Sequence, residues 1–109
     1  MKPIVWLGDS LVRVRSFPAD AKRELGYQLE RVQDEREPAD WKPMSSVGAG
    51  VSEIRARVGG AFRVIYAAKF QEAIYVLHAF QKKSSKTARR DVELARDRFR
   101  ALIRERADR

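Results

Sequence analysis

The sequence predicts an α+β fold of order β-α-α-β-β-β-α. It combines a small antiparallel sheet, made of an N-terminal strand and a three-strand meander, with two N-terminal helices and a C-terminal helix over one sheet face. Three observations carry this expectation. Apolar residues recur at helical spacing in two segments, Ala21, Leu25, Leu29 and Val32 in the first and Val92, Ala95, Phe99, Leu102 and Ile103 in the second. Between them, Val51 to Lys82 holds three runs rich in β-branched and aromatic residues. The pair Gly59-Gly60 separates the first two of those runs, as a tight hairpin requires. At 109 residues the whole chain, 1–109, is expected to be one domain, because two cores would each be too small to hold a fold.

In chain order, Pro3 to Leu7 reads as a short buried strand stopped by Gly8. Asp9 or Ser10 then caps a short helical piece through Ser16. The clearer helix runs from Pro18 to Glu35, with Ser16 as candidate cap and Pro18 in the first turn, where its missing N–H costs nothing. Glu37 to Gly50 reads as a loop, with two prolines and two glycines and with Trp41 and Met44 as anchors. Val51–Val58, Phe62–Lys69 and Ala73–Lys82 form the meander. Along the first of these strands Glu53, Arg55 and Arg57 point to one face and Ser52, Ile54 and Ala56 to the other. The polar stretch Lys82 to Thr87 leads into the last helix, Ala88 to about Glu105.

Composition excludes several kinds of chemistry. With no cysteine there is no disulfide framework or thiolate metal site, and one histidine cannot build a histidine-rich zinc centre. No metal and no small-molecule cofactor is expected. The N-terminal apolar stretch is too short for a signal peptide or membrane span, so the expected compartment is the cytoplasm and no membrane partner is expected. The net charge of +8 points to a polyanion. Residues 1–41 carry seven basic against eight acidic side chains, while 82–109 carry eleven against five, so the excess lies entirely in the second half.

One set of residues could do chemistry. Arg55 and Arg57 on one strand, Arg63 on the next and Lys82 or Lys83 at the end of the last could converge on an exposed sheet face. Guanidinium forks suit phosphate oxygens because they donate two parallel charge-assisted bonds. The alternative is that these arginines are surface residues paired with Glu53, Glu72 or helix carboxylates. His78 could act as general acid or base, or be a hydrogen-bonded structural histidine within the apolar run IYVLHAF. Tyr66 and Tyr75 could stack on bases or pack in the core.

The run EIRARVGGAFRVIYAAKFQEAIYVLHAFQKKSSKTARRDVELARDR carries five pieces in order: Glu53-Ile54-Arg55, Phe62-Arg63-Val64-Ile65-Tyr66, Leu77-His78-Ala79-Phe80-Gln81-Lys82-Lys83, Lys86-Thr87 and Glu93-Leu94-Ala95-Arg96. Together with the upstream FPADAKRELGYQLERVQ and DWKP, they resemble the phage-derived branch of the RelE/ParE toxin superfamily, which includes HigB-type toxins. The resemblance implies a RelE-like fold and a type II toxin-antitoxin toxin: a ribosome-dependent endoribonuclease that cuts messenger RNA and is held inactive by a cognate helix-turn-helix antitoxin. A substrate 2′-hydroxyl would attack the adjacent phosphate. Carried over by position, Arg63 would neutralise the scissile phosphate, with Arg55 and Lys82 from the matching basic strands; His78, if its strand face turns it toward Arg63, completes the candidate catalytic set. Arg57, Lys83, Lys86, Arg89 and Arg90 form the candidate RNA-binding set. RelE relies on a tyrosine after the last strand, and here no tyrosine follows Tyr75, so the general base has no counterpart. Two other readings fit the same resemblance: a ParE-type DNA gyrase poison, or an inactive phage-derived domain that binds RNA or protein.

Overall fold

Along the computed structural model, which describes residues 1–84 and 86–109, the elements are β1 (Ile4–Trp6), α1 (Ser10–Arg15), α2 (Ala19–Gln33), β2 (Trp41–Pro43), β3 (Val51–Arg57), β4 (Ala61–Ala67), β5 (Ile74–Lys82) and α3 (Arg89–Ala107). Glycine sets the register of the central hairpin. Gly59 and Gly60 take positive φ of 65° and 154°, conformations that side chains resist. They fold β3 onto β4 so that Arg55 lies opposite Arg63 and Ala56 opposite Phe62. β5 returns along β4, completing the expected meander.

The sheet is mixed rather than antiparallel throughout. Its strand order is β1-β5-β4-β3-β2, and β1 runs parallel to β5, with Ile4 opposite Ile74 and Trp6 opposite Val76. A parallel pair needs a long connection, and the helices and strands between β1 and β5 provide it. The fifth strand, β2, lies within the segment 37–50 expected to be loop. It has three residues and occupies the sheet edge, where Pro43 can sit without losing a ladder bond.

The helices cover both sheet faces, not one. Ala21, Leu25, Leu29 and Val32 of α2 pack on Ile54, Phe62, Val64 and Val76. Ala95, Phe99 and Leu102 of α3 pack on Ile65, Ala67, Leu77 and Phe80, together with Met44 and Val47 from the loop before β3. Because side chains alternate along β4, these two clusters lie on opposite sides of the sheet. Burial on both sides explains why β4 and β5 read as almost continuous apolar runs.

A shift of register between Ile65 and Tyr66 sets Ile65 opposite His78 and Tyr66 opposite Val76, which leaves Leu77 as an extra residue. Its carbonyl accepts a 2.8 Å hydrogen bond from Arg98 of α3, and Arg98 also donates to Asp9 at 2.8 Å. One guanidinium thus fastens α3, β5 and the start of α1 together.

Candidate functional site

The pleat and the register together decide which side chains share a surface. Glu53, Arg55 and Arg57 alternate along β3 on the α3 side of the sheet; Arg63 lies opposite Arg55, Lys42 opposite Glu53, and Lys82 opposite Ala61 at the end of β5. Arg55, Arg57, Arg63 and Lys82 are therefore brought to one face near the Gly59-Gly60 turn. Like charges directly across a strand pair repel. Glu53 offsets that repulsion: its carboxylate is fully buried, with Oε1 3.5 Å from Nε of Arg55 and 3.4 Å from Nε of Arg63. Arg63 is itself buried, with 5% of its side chain exposed, and Arg55 keeps 22%.

Both Nε atoms and Glu53 Oε1 lack a hydrogen bond of good geometry among the described residues, so charge rather than hydrogen bonding holds the trio. Arg63 also donates to the Phe62 carbonyl, and Thr87 Oγ1 donates to Glu53 Oε2 at 3.5 Å, linking the segment before α3 to the cluster. Asp40 stands 4.0 Å from Arg55 and 3.9 Å from Arg57, whose side chain is two-thirds exposed. The pairing of arginines with Glu53 considered from sequence is thus present for Arg55 and Arg63, whereas Glu72 pairs with Arg106. Even so, the cations Lys42, Arg55, Arg57, Arg63 and Lys82 outnumber the carboxylates Asp40 and Glu53.

Sequence reasoning missed Gln28. It is buried within the apolar stripe of α2, donates 2.8 Å to the Arg55 carbonyl and accepts 3.0 Å from the Asp40 N–H. Both backbones that carry the Arg55–Asp40 pair are fixed by this one amide. The signal was available, since a polar residue at a stripe position between Leu25 and Leu29 needs a buried partner. Thr87, whose hydroxyl reaches Glu53, likewise takes a structural part in the cluster that its sequence position did not suggest.

Electrostatics single out Lys82. Partial desolvation and the nearby Arg63 guanidinium, with smaller contributions from Lys42 and Arg55, hold its pKa below that of an ordinary lysine, while Glu53 opposes the shift. Arg63 is lowered from the usual arginine value, first by burial, with Glu53 acting the other way.

His78 is on the same side of the sheet but wholly buried. Its Nε2 lies 2.8 Å from Asp91 Oδ1 of α3, its ring stacks on Phe80, and its Nδ1 has no partner among the described residues. Burial pushes its pKa below 6.5 against the pull of Asp91. In this structure the imidazole ties α3 to β5 and presents no atom to solvent. Tyr66 and Tyr75 are also buried, Tyr66 with a pKa pushed by burial to about 12 and Tyr75 bonded to Glu72, so neither offers a face to a base.

Of the remaining sequence candidates, Lys83, Lys86 and Arg90 line with Lys82 a small cleft of about 150 Å³. Arg89 lies outside it and pairs with Glu93 at 2.8 Å. Among the described residues no three His, Asp or Glu side chains gather as a metal site needs, and no helix is long and apolar enough to cross a membrane. Of the three guanidinium groups Arg57 is mainly exposed, Arg55 is partly open and Arg63 is buried, so Arg57 and Arg55 are the ones placed to reach a phosphate oxygen directly.

A search of curated proteins finds no match. Residues 13–100, which include every element from α2 to β5 and most of α3, match the family described as phage derived protein Gp49-like (DUF891), and the chain belongs to this phage-derived, RelE-like toxin family.

Proposed function

We propose that the protein is the toxin of a type II toxin-antitoxin system and cuts messenger RNA on the ribosome, in the cytoplasm. The observation that carries the reading is the convergence of Arg55, Arg57 and Arg63 with Lys82 on one sheet face, in a chain of a phage-derived toxin-like family. In the cleavage step the substrate's 2′-oxygen forms a bond to the adjacent phosphorus and the bond to the 5′ oxygen breaks, leaving a 2′,3′-cyclic phosphate. Lys82, in its neutral amine form, takes the proton of the 2′-hydroxyl, and water protonates the departing 5′ oxygen. Arg63 and Arg55 neutralise the charge that builds on the phosphate oxygens. Arg57, Lys83, Lys86 and Arg90 contact the flanking backbone.

A small helix-turn-helix antitoxin is the expected partner. The groove of about 430 Å³ on α3, where Phe99 and Ile103 meet Val47 between Arg100 and Arg104, offers it an apolar seat with basic rims.

The test is induced expression in translating cells with mapping of messenger RNA 5′ ends. Lys82→Met is expected to slow cleavage by about 10²–10⁴-fold, the usual contribution of a proton-transfer group, and Lys82→Arg to restore RNA contact without restoring the rate. Full cleavage by Lys82→Arg would remove the proton-transfer role, and growth arrest that survives Arg63→Ala would remove the phosphate role. Intact messenger RNA accompanied by altered DNA supercoiling would replace this reading with gyrase poisoning.

A further inference from the structure

Beside the basic cluster, along the part of β5 that β1 does not pair with, lies a larger cleft of about 520 Å³ between the end of α1 and the start of α3. Its volume falls within the roughly 300–1,000 Å³ typical of small-ligand sites. Arg13 comes from α1, Lys83 follows β5 and Arg90 belongs to the first turn of α3, so three separate elements each place a cation on its wall. Phe17 and Leu94 supply half-buried apolar wall, while Gln81 and Asp91 supply groups able to hydrogen-bond a base edge. Asp91 is steadied there by its bond to His78.

Two features connect this cleft to the cluster. Lys83, Arg90, Asp91 and Gln81 line both it and the smaller cleft that contains Lys82, so one continuous surface leads from the proton-transfer lysine to Arg13. The start of α3 stands on that surface, where the partial positive charge of a helix N-terminus adds to the side-chain cations. Arg13 pairs with Asp9 at 3.1 Å, an exposed contact that costs little to break when a phosphate arrives. A wall that mixes separate cations, an apolar patch and hydrogen-bonding groups fits a nucleotide better than an inorganic anion.

We infer that this cleft is a subsite for a nucleotide of single-stranded RNA flanking the scissile phosphate, with Arg13, Lys83 and Arg90 on its phosphate. The inference rests on the proposed RNA cleavage, and it gives the strand a direction: across the ends of β3, β4 and β5 and on toward α1.

A fluorescein-labelled nine-nucleotide 2′-O-methyl RNA, which cannot be cleaved because its nucleophile is blocked, tests it by anisotropy between 50 and 200 mM salt, both being about the range over which phosphate contacts are titrated. Arg13→Gln and Arg90→Gln are each expected to weaken binding severalfold and to reduce the salt slope by about 0.7, the value for one contact on a single strand. Arg15→Gln removes the same charge from the same exposed helix but lies outside the cleft, and is expected to match the unaltered protein. Equal binding by Arg13→Gln and Arg15→Gln, with weakening by Arg57→Gln, would overturn the subsite and leave RNA binding by the cluster standing. No weakening by Arg57→Gln either would overturn both.

Discussion

Replacing Glu53 by glutamine keeps the size of the side chain and removes one buried charge, so its consequences are electrostatic. In the folded protein that charge lies 3.4 Å from Arg63 and 3.5 Å from Arg55. At an effective dielectric constant of about 20, each contact is worth roughly 5 kcal/mol of Coulomb attraction. Most of this is offset by the cost of taking the groups out of water, yet removing one partner strands the others and costs about 3–5 kcal/mol. The lower end applies, because neither Nε contact has hydrogen-bond geometry. Glu53→Gln is thus expected to destabilise the fold by about 3 kcal/mol, seen in urea unfolding as a lower midpoint at unchanged slope. Combined with Arg63→Met, the double variant is expected to be about 2 kcal/mol less destabilised than the sum of the single ones, since each residue's removal makes the other superfluous. A loss below about 1 kcal/mol for Glu53→Gln, or additive costs in the cycle, would refute the claim that this carboxylate holds the two arginines together.

Two further outcomes concern the α3 side of the core. Burial keeps the folded-state pKa of His78 below 6.5, so below pH 6.5 the unfolded chain binds a proton that the folded one does not. Stability is fully present above 6.5 and falls as pH drops, by up to about 1.4 kcal/mol per unit. Urea unfolding at pH 7.5 and 5.5 is expected to show a greater loss for the unaltered protein than for His78→Gln, and equal losses would contradict the assignment. At Gly48 an added Cβ would overlap the ring of Phe99, which packs in the same cluster as Met44 and Val47. Gly48→Ala is expected to cost about 1–3 kcal/mol as overpacking, measured by thermal melting; an unchanged melting temperature would mean that the ring moves aside freely.

The local signals in the chain are legible where one physical rule decides the outcome. The glycine pair at 59–60 forces the hairpin, and alternation along β3 assigns Glu53, Arg55 and Arg57 to one face before any partner strand is known. What could not be read depends on contacts distant in sequence. The direction of β1 relative to β5 is set by packing of helices that lie between them. β2 is only three residues containing a proline, so neither pattern nor propensity marks it. The covering of both faces was visible in the apolar runs of β4 and β5, but the charged face of β3 drew the reading toward a sheet with one wet side. At the site, grouping the arginines followed from parity, whereas the burial of His78 depends on α3, whose Asp91 takes its hydrogen bond.

The arginine pair bears on stability as well as on the site. A domain selected for stability alone would gain by replacing Arg55, Arg63 and Glu53 with apolar residues, because buried ion clusters seldom outperform close packing. Here the like charges stand directly opposite one another, Oε1 of the carboxylate between them has no hydrogen bond among the described residues, and a buried glutamine and a threonine from other elements brace the arrangement. The arginine pair is held close by the fold itself, so in the proposed cleavage a phosphate would meet cations already in place. With Arg63 at its side, Lys82 also loses its proton more readily than a free lysine. In the proposed cleavage, the same charges that repel one another across the sheet would help a protein with no cysteine and one buried histidine to move a proton.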